Sequence, residues 1–130
     1  GLLPLLYLKA RLLPRSTEEM DGYPERFVSE FEYDALRQSI AQILGSDDAY
    51  LEVYMNDMRY SDEPITAYIS EDIADIYQEI KDLACNYQTS DERVMNDALV
   101  HCMDAFDEHW GQKLLNVLRP LHALSLAHDE

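Results

Sequence analysis

Four side chains late in the chain have the types and spacing of a metal-binding helix face. Asp97, His101, Asp104 and Glu108 are spaced four, three and four residues apart, so a helix places them on one face. Carboxylates and imidazoles that project from facing helices bind metals in helical bundles. This face lies opposite the apolar stripe of the same helix, and the sequence contains no Glu-x-x-His pair. A solvated surface is therefore the simpler interpretation, with metal binding as the alternative.

A second polar group is predicted where the central and last helices meet. Asn116, Arg119 and His122 stand among apolar residues, and Asp72 and Asp75 stand at the start of the central helix. An antiparallel pair of these helices brings the five side chains together. We expect Arg119 to form a forked ion pair with one of the two carboxylates. Such a pair more often fixes helix register than catalyses a reaction, although His122 would add a general acid or base.

Other catalytic motifs are absent from the sequence. Ser29, Ser70 and Ser90 precede or open predicted helices and suit caps, and there is neither a phosphate-binding loop nor a Gly-x-Ser-x-Gly turn. Trp110 is either an exposed anchor for a partner or, more simply, the largest core residue, fitted beside Gly111. We expect no cofactor.

The charge of the chain restricts its partners. Its 130 residues include 26 acidic and 10 basic side chains, a formal net charge of -16. Because this charge repels phosphate backbones, we expect no direct binding to nucleic acid and favour a basic protein partner. The longest apolar run, residues 2–13, is interrupted by charges and is too short to span a bilayer, so we expect no membrane partner. Cys85 and Cys102 lack metal-type spacing and are interpreted as free thiols in a reducing cytoplasm, with a single bridge as the alternative.

The segment 70–88 shows the clearest helical pattern. Ser70 is predicted to cap its first turn, where Glu71 and Asp72 complement the helix dipole. Apolar residues then recur at three- and four-residue spacing, at Ile73, Ile76, Tyr77, Ile80, Leu83, Ala84 and Tyr87.

Three further helices are predicted around the central one. A short apolar helix occupies the first 13 residues, and a capping box at Ser29 begins a helix over 30–44, with Gly45 as a left-handed stop. A capping box at Thr89 begins the last helix, whose apolar stripe changes direction near Trp110 and which Pro120 disturbs further.

The connection over 46–69 gives no clear pattern. Residues 50–55 suit a short strand or a helical turn, and the rest is expected to be irregular. Its tyrosines either pin the connection onto the bundle or line a groove: Tyr50, Tyr54, Tyr60 and Tyr68. We therefore predict one all-α domain over 1–130, a bundle of about four helices with a long irregular connection.

The segments EDIADIYQEIKD (71–82), MNDAL (95–99) and HWGQKLLNVLRPLH (109–122) resemble a bacterial family known only as a domain of unknown function, number 5063. The resemblance implies a small cytoplasmic all-helical protein with more helix before Leu2. The family pattern tends to have alanine where this chain has Pro120. The resemblance implies no activity, so it assigns no catalytic residue.

The function expected from these patterns is that of a non-catalytic acidic module that binds a basic protein. The alternative is a small enzyme or metal-binding protein that uses the polar group between the central and last helices or the predicted metal-binding face.

Overall fold

The computed structural model describes residues 2–13, 18–52 and 65–128, and these form a small, mostly helical bundle, as predicted. The helices are α1 (Leu2–Leu12), α2 (Glu30–Leu44), α3 (Ile69–Tyr87), α4 (Glu92–Ala105) and α5 (Gly111–His128). A π-helical turn, Phe106–Trp110, joins α4 and α5 into one continuous helical segment. The central helix α3 packs against α2, α4 and α5, and α1 packs against α5. None of the described helices is both long and apolar enough to cross a membrane.

The start of α3 is capped by a residue that is distant in sequence. Asp48 accepts hydrogen bonds from the backbone nitrogen and the hydroxyl of Ser70, at 2.7 and 2.6 Å. Ser70 is buried inside the helix, which begins at Ile69, so the prediction that Ser70 caps the helix is wrong. A carboxylate held at a helix amino terminus complements the dipole and satisfies a free amide.

The capping predictions for the two neighbouring helices have different outcomes. Ser29 accepts the amide of Glu32 at 3.1 Å, and α2 has the predicted bounds of 30–44. At α4 the cap is Asp91, because the Thr89 hydroxyl donates to a carbonyl of the preceding turn instead. Gly45 has φ 57° and ψ −127°, a conformation that favours glycine but is not the predicted left-handed helical stop.

The described parts of this connection, residues 46–52 and 65–69, are more regular than predicted. A 3-10 turn, Gly45–Asp48, leads into strand β1 (Ala49–Leu51), which pairs antiparallel with β2 (Thr66–Tyr68). Pairing satisfies backbone groups that an irregular loop would leave to water. Tyr54 and Tyr60, for which a docking or groove role was open, lie outside the described residues.

The predicted change of direction near Trp110 corresponds to the π-helical turn. Its geometry needs glycine at 111: the Gly111 amide donates to the Phe106 carbonyl, and a Cβ on Gly111 would lie 2.6 Å from that oxygen. Beyond it, α5 continues through Pro120. The central core cluster surrounds the turn and consists of Ala10, Ile76, Cys102, Met103, Phe106, Trp110 and Leu114.

Residues 18–28, here called the strap, cross α3 and α4 without regular secondary structure. Their backbone amides are bound by side chains of those helices. Asp97 accepts the amides of Met20 and Gly22, both at 2.7 Å, and Asp82 accepts those of Phe27 and Val28. Side-chain acceptors thus replace the secondary structure that the strap lacks.

Two more contacts hold the strap close to the helices. Asn86 binds both the amide and the carbonyl of Glu25, at 3.0 and 2.9 Å. Gly22 lies so close to α4 that an added Cβ would fall 2.3 Å from the Arg93 carbonyl oxygen. Hydrogen bonds and a close backbone approach therefore fix the position of the strap on the bundle.

We expect Asp97→Asn to loosen the strap and lower Tm, because the amide group replaces one of two acceptors with a donor. The hydrogen bond from the Gly22 amide, with that from Met20, lowers the pKa of Asp97. This contribution to stability is present above the ordinary carboxyl pKa of about 4 and is lost as pH falls through the lowered value. The Tm difference between wild type and variant should therefore shrink in acid.

Asp104→Asn is the matched control, since Asp104 lies on the same helix but is exposed. Thermal unfolding at pH 7 and pH 3, together with hydrogen exchange of the amides of Met20 and Gly22, provides the measurement. An unchanged exchange rate in Asp97→Asn would contradict the role of Asp97.

Candidate functional site

The main polar cluster lies where α3 and α5 pack and is built around Lys113. The lysine ammonium donates to Asp75 at 2.7 Å and lies 3.7 Å from a carboxylate oxygen of Asp72. The Asp72 side chain is only 4% exposed, whereas those of Lys113 and Asp75 are about one-third exposed. One cation therefore compensates two carboxylates at the edge of the bundle interior.

Two tyrosines bring further elements into this cluster. Tyr50 of β1 donates its hydroxyl to Asp72, and Tyr33 of α2 donates to Asp75 at 2.5 Å. The cluster thus links the hairpin, α2, α3 and α5. The prediction that tyrosines pin the connection onto the bundle is met at Tyr50, whereas Tyr68 is exposed.

Burial controls the ionisation of these groups. It raises the pKa of Asp72 to about 6, against the opposing effects of the Tyr50 hydrogen bond and the Lys113 charge. Burial lowers the pKa of Lys113, but its hydrogen bond to Asp75 and the charges of both carboxylates outweigh this, and the net pKa is raised. Burial and the hydrogen bonds to carboxylates also raise the pKa of Tyr33 and Tyr50. Asp72 is the group of this cluster that can exchange a proton near neutral pH.

The prediction that Arg119 pairs with Asp72 or Asp75 is wrong, because Lys113 occupies this position. Arg119 and His122 are exposed, and Asn116 accepts a hydrogen bond from Gln112 at 2.9 Å. The start of α3 lies against the first turns of α5 rather than its later turns, because the carboxyl-terminal half of α3 packs along α4. Sequence reasoning missed Lys113, whose signal was a lysine two residues after the glycine at the change of direction.

The predicted metal-binding face is divided by the strap. Asp97 is buried against the strap, and His101 lies 3.0 Å from Glu19, a strap carboxylate. Asp104 and Glu108 are exposed. Within residues 2–13, 18–52 and 65–128, no group of three His, Cys, Asp or Glu side chains is arranged to hold a metal ion. The four side chains are therefore not arranged around one point, since Asp97 accepts strap amides and His101 lies beside a strap carboxylate.

Trp110, the candidate partner anchor, lies in the core. It is 2% exposed, donates to the Cys102 carbonyl at 3.0 Å and packs edge-on against Phe106. Its burial supports the simpler interpretation of a core residue. Cys85 and Cys102 are both free, as predicted, and burial raises the pKa of Cys102 to about 12, so this thiol stays protonated at neutral pH.

A small polar cleft opens beside the cluster. It has a volume of about 190 Å³ and is lined by Asp75, Gln78, Glu79, His109, Trp110 and Lys113. Glu79 also lines a second cleft, of about 200 Å³, beneath the strap, and burial raises its pKa. Sequence reasoning missed Glu79 and His109 because each looks like an ordinary surface residue of an acidic helix. The arrangement can bind a small polar group, and the two carboxyl groups whose pKa burial raises, Asp72 and Glu79, can take part in proton transfer.

The fold and the polar cluster define a small helical bundle in which carboxylates bind lysine, tyrosine and backbone groups. The chain belongs to the family described as Domain of unknown function (DUF5063), whose model matches residues 1–127. The crystal structure of protein BF1032 from Bacteroides fragilis, a structural genomics target, is similar at 42% identity and a TM-score of 0.80. The match covers 94% of this chain and 70% of that one. No curated protein gives a significant match.

We expect Lys113→Met to lower the free energy of unfolding more than Arg119→Met does. Breaking a buried pair on one side costs about 3–5 kcal/mol, and the partial exposure of Lys113 reduces this to about 2 kcal/mol. Arg119→Met, the matched control, should stay within about 0.5 kcal/mol, as is usual for exposed residues. Urea unfolding at pH 7 measures both, and equal losses would contradict the central position of Lys113.

We expect Asp72 to titrate near pH 6, as its pKa is raised to about 6. A carboxyl group whose pKa is higher in the folded state than in the unfolded state favours folding when protonated. Wild type should therefore gain stability relative to Asp72→Asn as pH falls from about 7 to about 4. Carboxyl ¹³C chemical shifts report the pKa directly, and titration of Asp72 near pH 4 would refute the effect of burial.

Proposed function

We propose that this protein is a non-catalytic, acidic interaction module that binds a basic surface of another protein in the cytoplasm. The observation that supports this best is the exposed acidic face formed by Asp104, Asp107 and Glu108, on α4 and the π-helical turn. It belongs to a chain whose net charge is -16. Such a surface attracts basic partners and speeds their association.

The positions of the lysines strengthen this proposal. Lys113 is engaged by Asp72 and Asp75, and Lys81 donates to Glu32 at 2.7 Å. These cations compensate carboxylates within the bundle and not those of the acidic face. His109 lies 3.7 Å from Glu108, and both side chains are about 70% exposed. Exposed pairs of this kind contribute little, so His109 leaves most of the negative charge of Glu108 available to a partner.

A second candidate function is acid–base chemistry in the polar cluster around Lys113. The specific observation in its favour is the pKa of about 6 for Asp72, next to a lysine and a tyrosine. Groups with shifted pKa values occur both in active sites and in structural ion-pair networks. A substrate-dependent activity that Asp72→Asn abolishes while the fold is kept would favour this candidate over the interaction module.

We expect the affinity for the basic partner to fall steeply with salt. The partner is first captured from native lysate at low salt and then purified. Raising the ionic strength from about 0.05 to about 0.3 M should weaken binding by about tenfold or more, since exposed charges are then strongly screened.

The double variant Asp104→Asn/Glu108→Gln should weaken binding and flatten the salt dependence. The matched control is Asp47→Asn/Glu71→Gln, which removes the same charge from exposed positions near the start of α3. Affinity that is independent of salt, or equal losses in the two double variants, would overturn the acidic face as the docking site.

A further inference from the structure

An apolar groove of about 590 Å³ runs between α1 and α3, away from the acidic face. Its walls are aliphatic, with Leu3 and Leu6 from α1 and Ile73, Ile76 and Ile80 from α3. The α3 wall extends from residue 73 to residue 84, about 16 Å of helix or three turns. The groove therefore has the length that a short helix of three to four turns can pack along.

The outer side of α1 extends this apolar surface. Leu2 is 83% exposed and Leu12 is 72% exposed, with Leu5 and Leu8 about half exposed between them. These residues lie opposite the side that packs against the core cluster, which carries Leu3, Leu6, Tyr7 and Ala10. A helix that is apolar on both sides is typically covered on both sides. The outer side thus marks an interaction surface and not an ordinary solvent face.

The charges around the groove select among possible occupants. Lys9 and Lys81 line it, and residues 2–13 contain no acidic side chain. Lys81 already donates to Glu32, whereas Lys9 is exposed and forms no ion pair with the residues that the structure describes. An occupant with a carboxylate opposite Lys9 is therefore favoured over one with a basic group there.

Two other occupants are disfavoured by the same charges. A second copy that docked α1 against α1 would bring Lys9 and Arg11 of both chains together, between bodies that each carry a charge of -16. That charge also repels the anionic headgroups of a membrane surface. A helix of a different protein avoids both costs.

We propose that the groove between α1 and α3 binds an amphipathic helix of a partner protein, with its apolar stripe on Leu5, Ile73 and Ile80 and an Asp or Glu beside Lys9. This site is distinct from the acidic face and stands whether or not that face binds a basic surface. The apolar stripe provides affinity, and the carboxylate fixes the orientation of the helix.

Photocrosslinking in the producing cells tests the occupant directly. Benzoylphenylalanine replaces Leu5 in one variant and Leu2 in another, both exposed positions, and replaces exposed Leu126 of α5 as the matched control. Circular dichroism checks that each variant folds, and mass spectrometry maps the crosslinked peptide. The expected product joins position 2 or 5 to another protein, at a peptide with apolar residues at three- and four-residue spacing and an acidic side chain.

A second variant tests whether the partner places an acidic side chain beside Lys9. Adding Lys9→Glu to the crosslinking variant should lower the yield by about tenfold, because a like-charge contact replaces an attractive one. Arg119→Glu is the control for the change in net charge. The proposal is overturned if crosslinks map to a second copy, to another segment of the same chain, to lipid or to a basic peptide, or if none exceeds the Leu126 control.

Discussion

The ammonium group of Lys113 fixes the register of α5 on α3, which non-directional hydrophobic contacts do not specify by themselves. Asp72 and Asp75 lie one turn apart on α3, and in a weakly solvated position two carboxylates repel each other and lose hydration. Lys113 offsets this cost from α5, while Tyr33 and Tyr50 bring hydroxyl donors from α2 and the hairpin. The register of α5 on α3 and the position of the paired strands β1 and β2 therefore depend on the same charge.

Local signals predicted the fold well because helix periodicity and capping are short-range properties. The bounds of α2, the extent of α3 and the change of direction near Trp110 all follow from residues within a few positions of each other. The cap predicted at Ser70 was wrong because its replacement is distant in sequence. Asp48 reaches Ser70 across 22 residues, and no local pattern distinguishes it from its neighbour Asp47.

The polar cluster was only half predictable for a related reason. Asp72 and Asp75 were identified from their place at the start of α3. Which cation binds them depends on which part of α3 packs against α4 and which part packs against α5. Arg119 could bind a carboxylate with two parallel hydrogen bonds, but it is Lys113 that lies beside Asp72 and Asp75. Asp97 shows the same principle: its spacing suits a metal-binding face, yet the amides of a segment about 75 residues away bind it.

The π-helical turn determines which side of α5 faces the rest of the bundle. A turn closed by a bond from Gly111 to Phe106 contains one residue more than an α-helical turn. If Phe106–Trp110 had α-helical geometry at the same chain length, every side chain of α5 would be rotated by about 100° relative to α4. Lys113 would then lie away from its carboxylates, and a different side of α5 would meet α3. The widened turn, and not the chemistry of the side chains alone, sets the charge pattern inside the bundle.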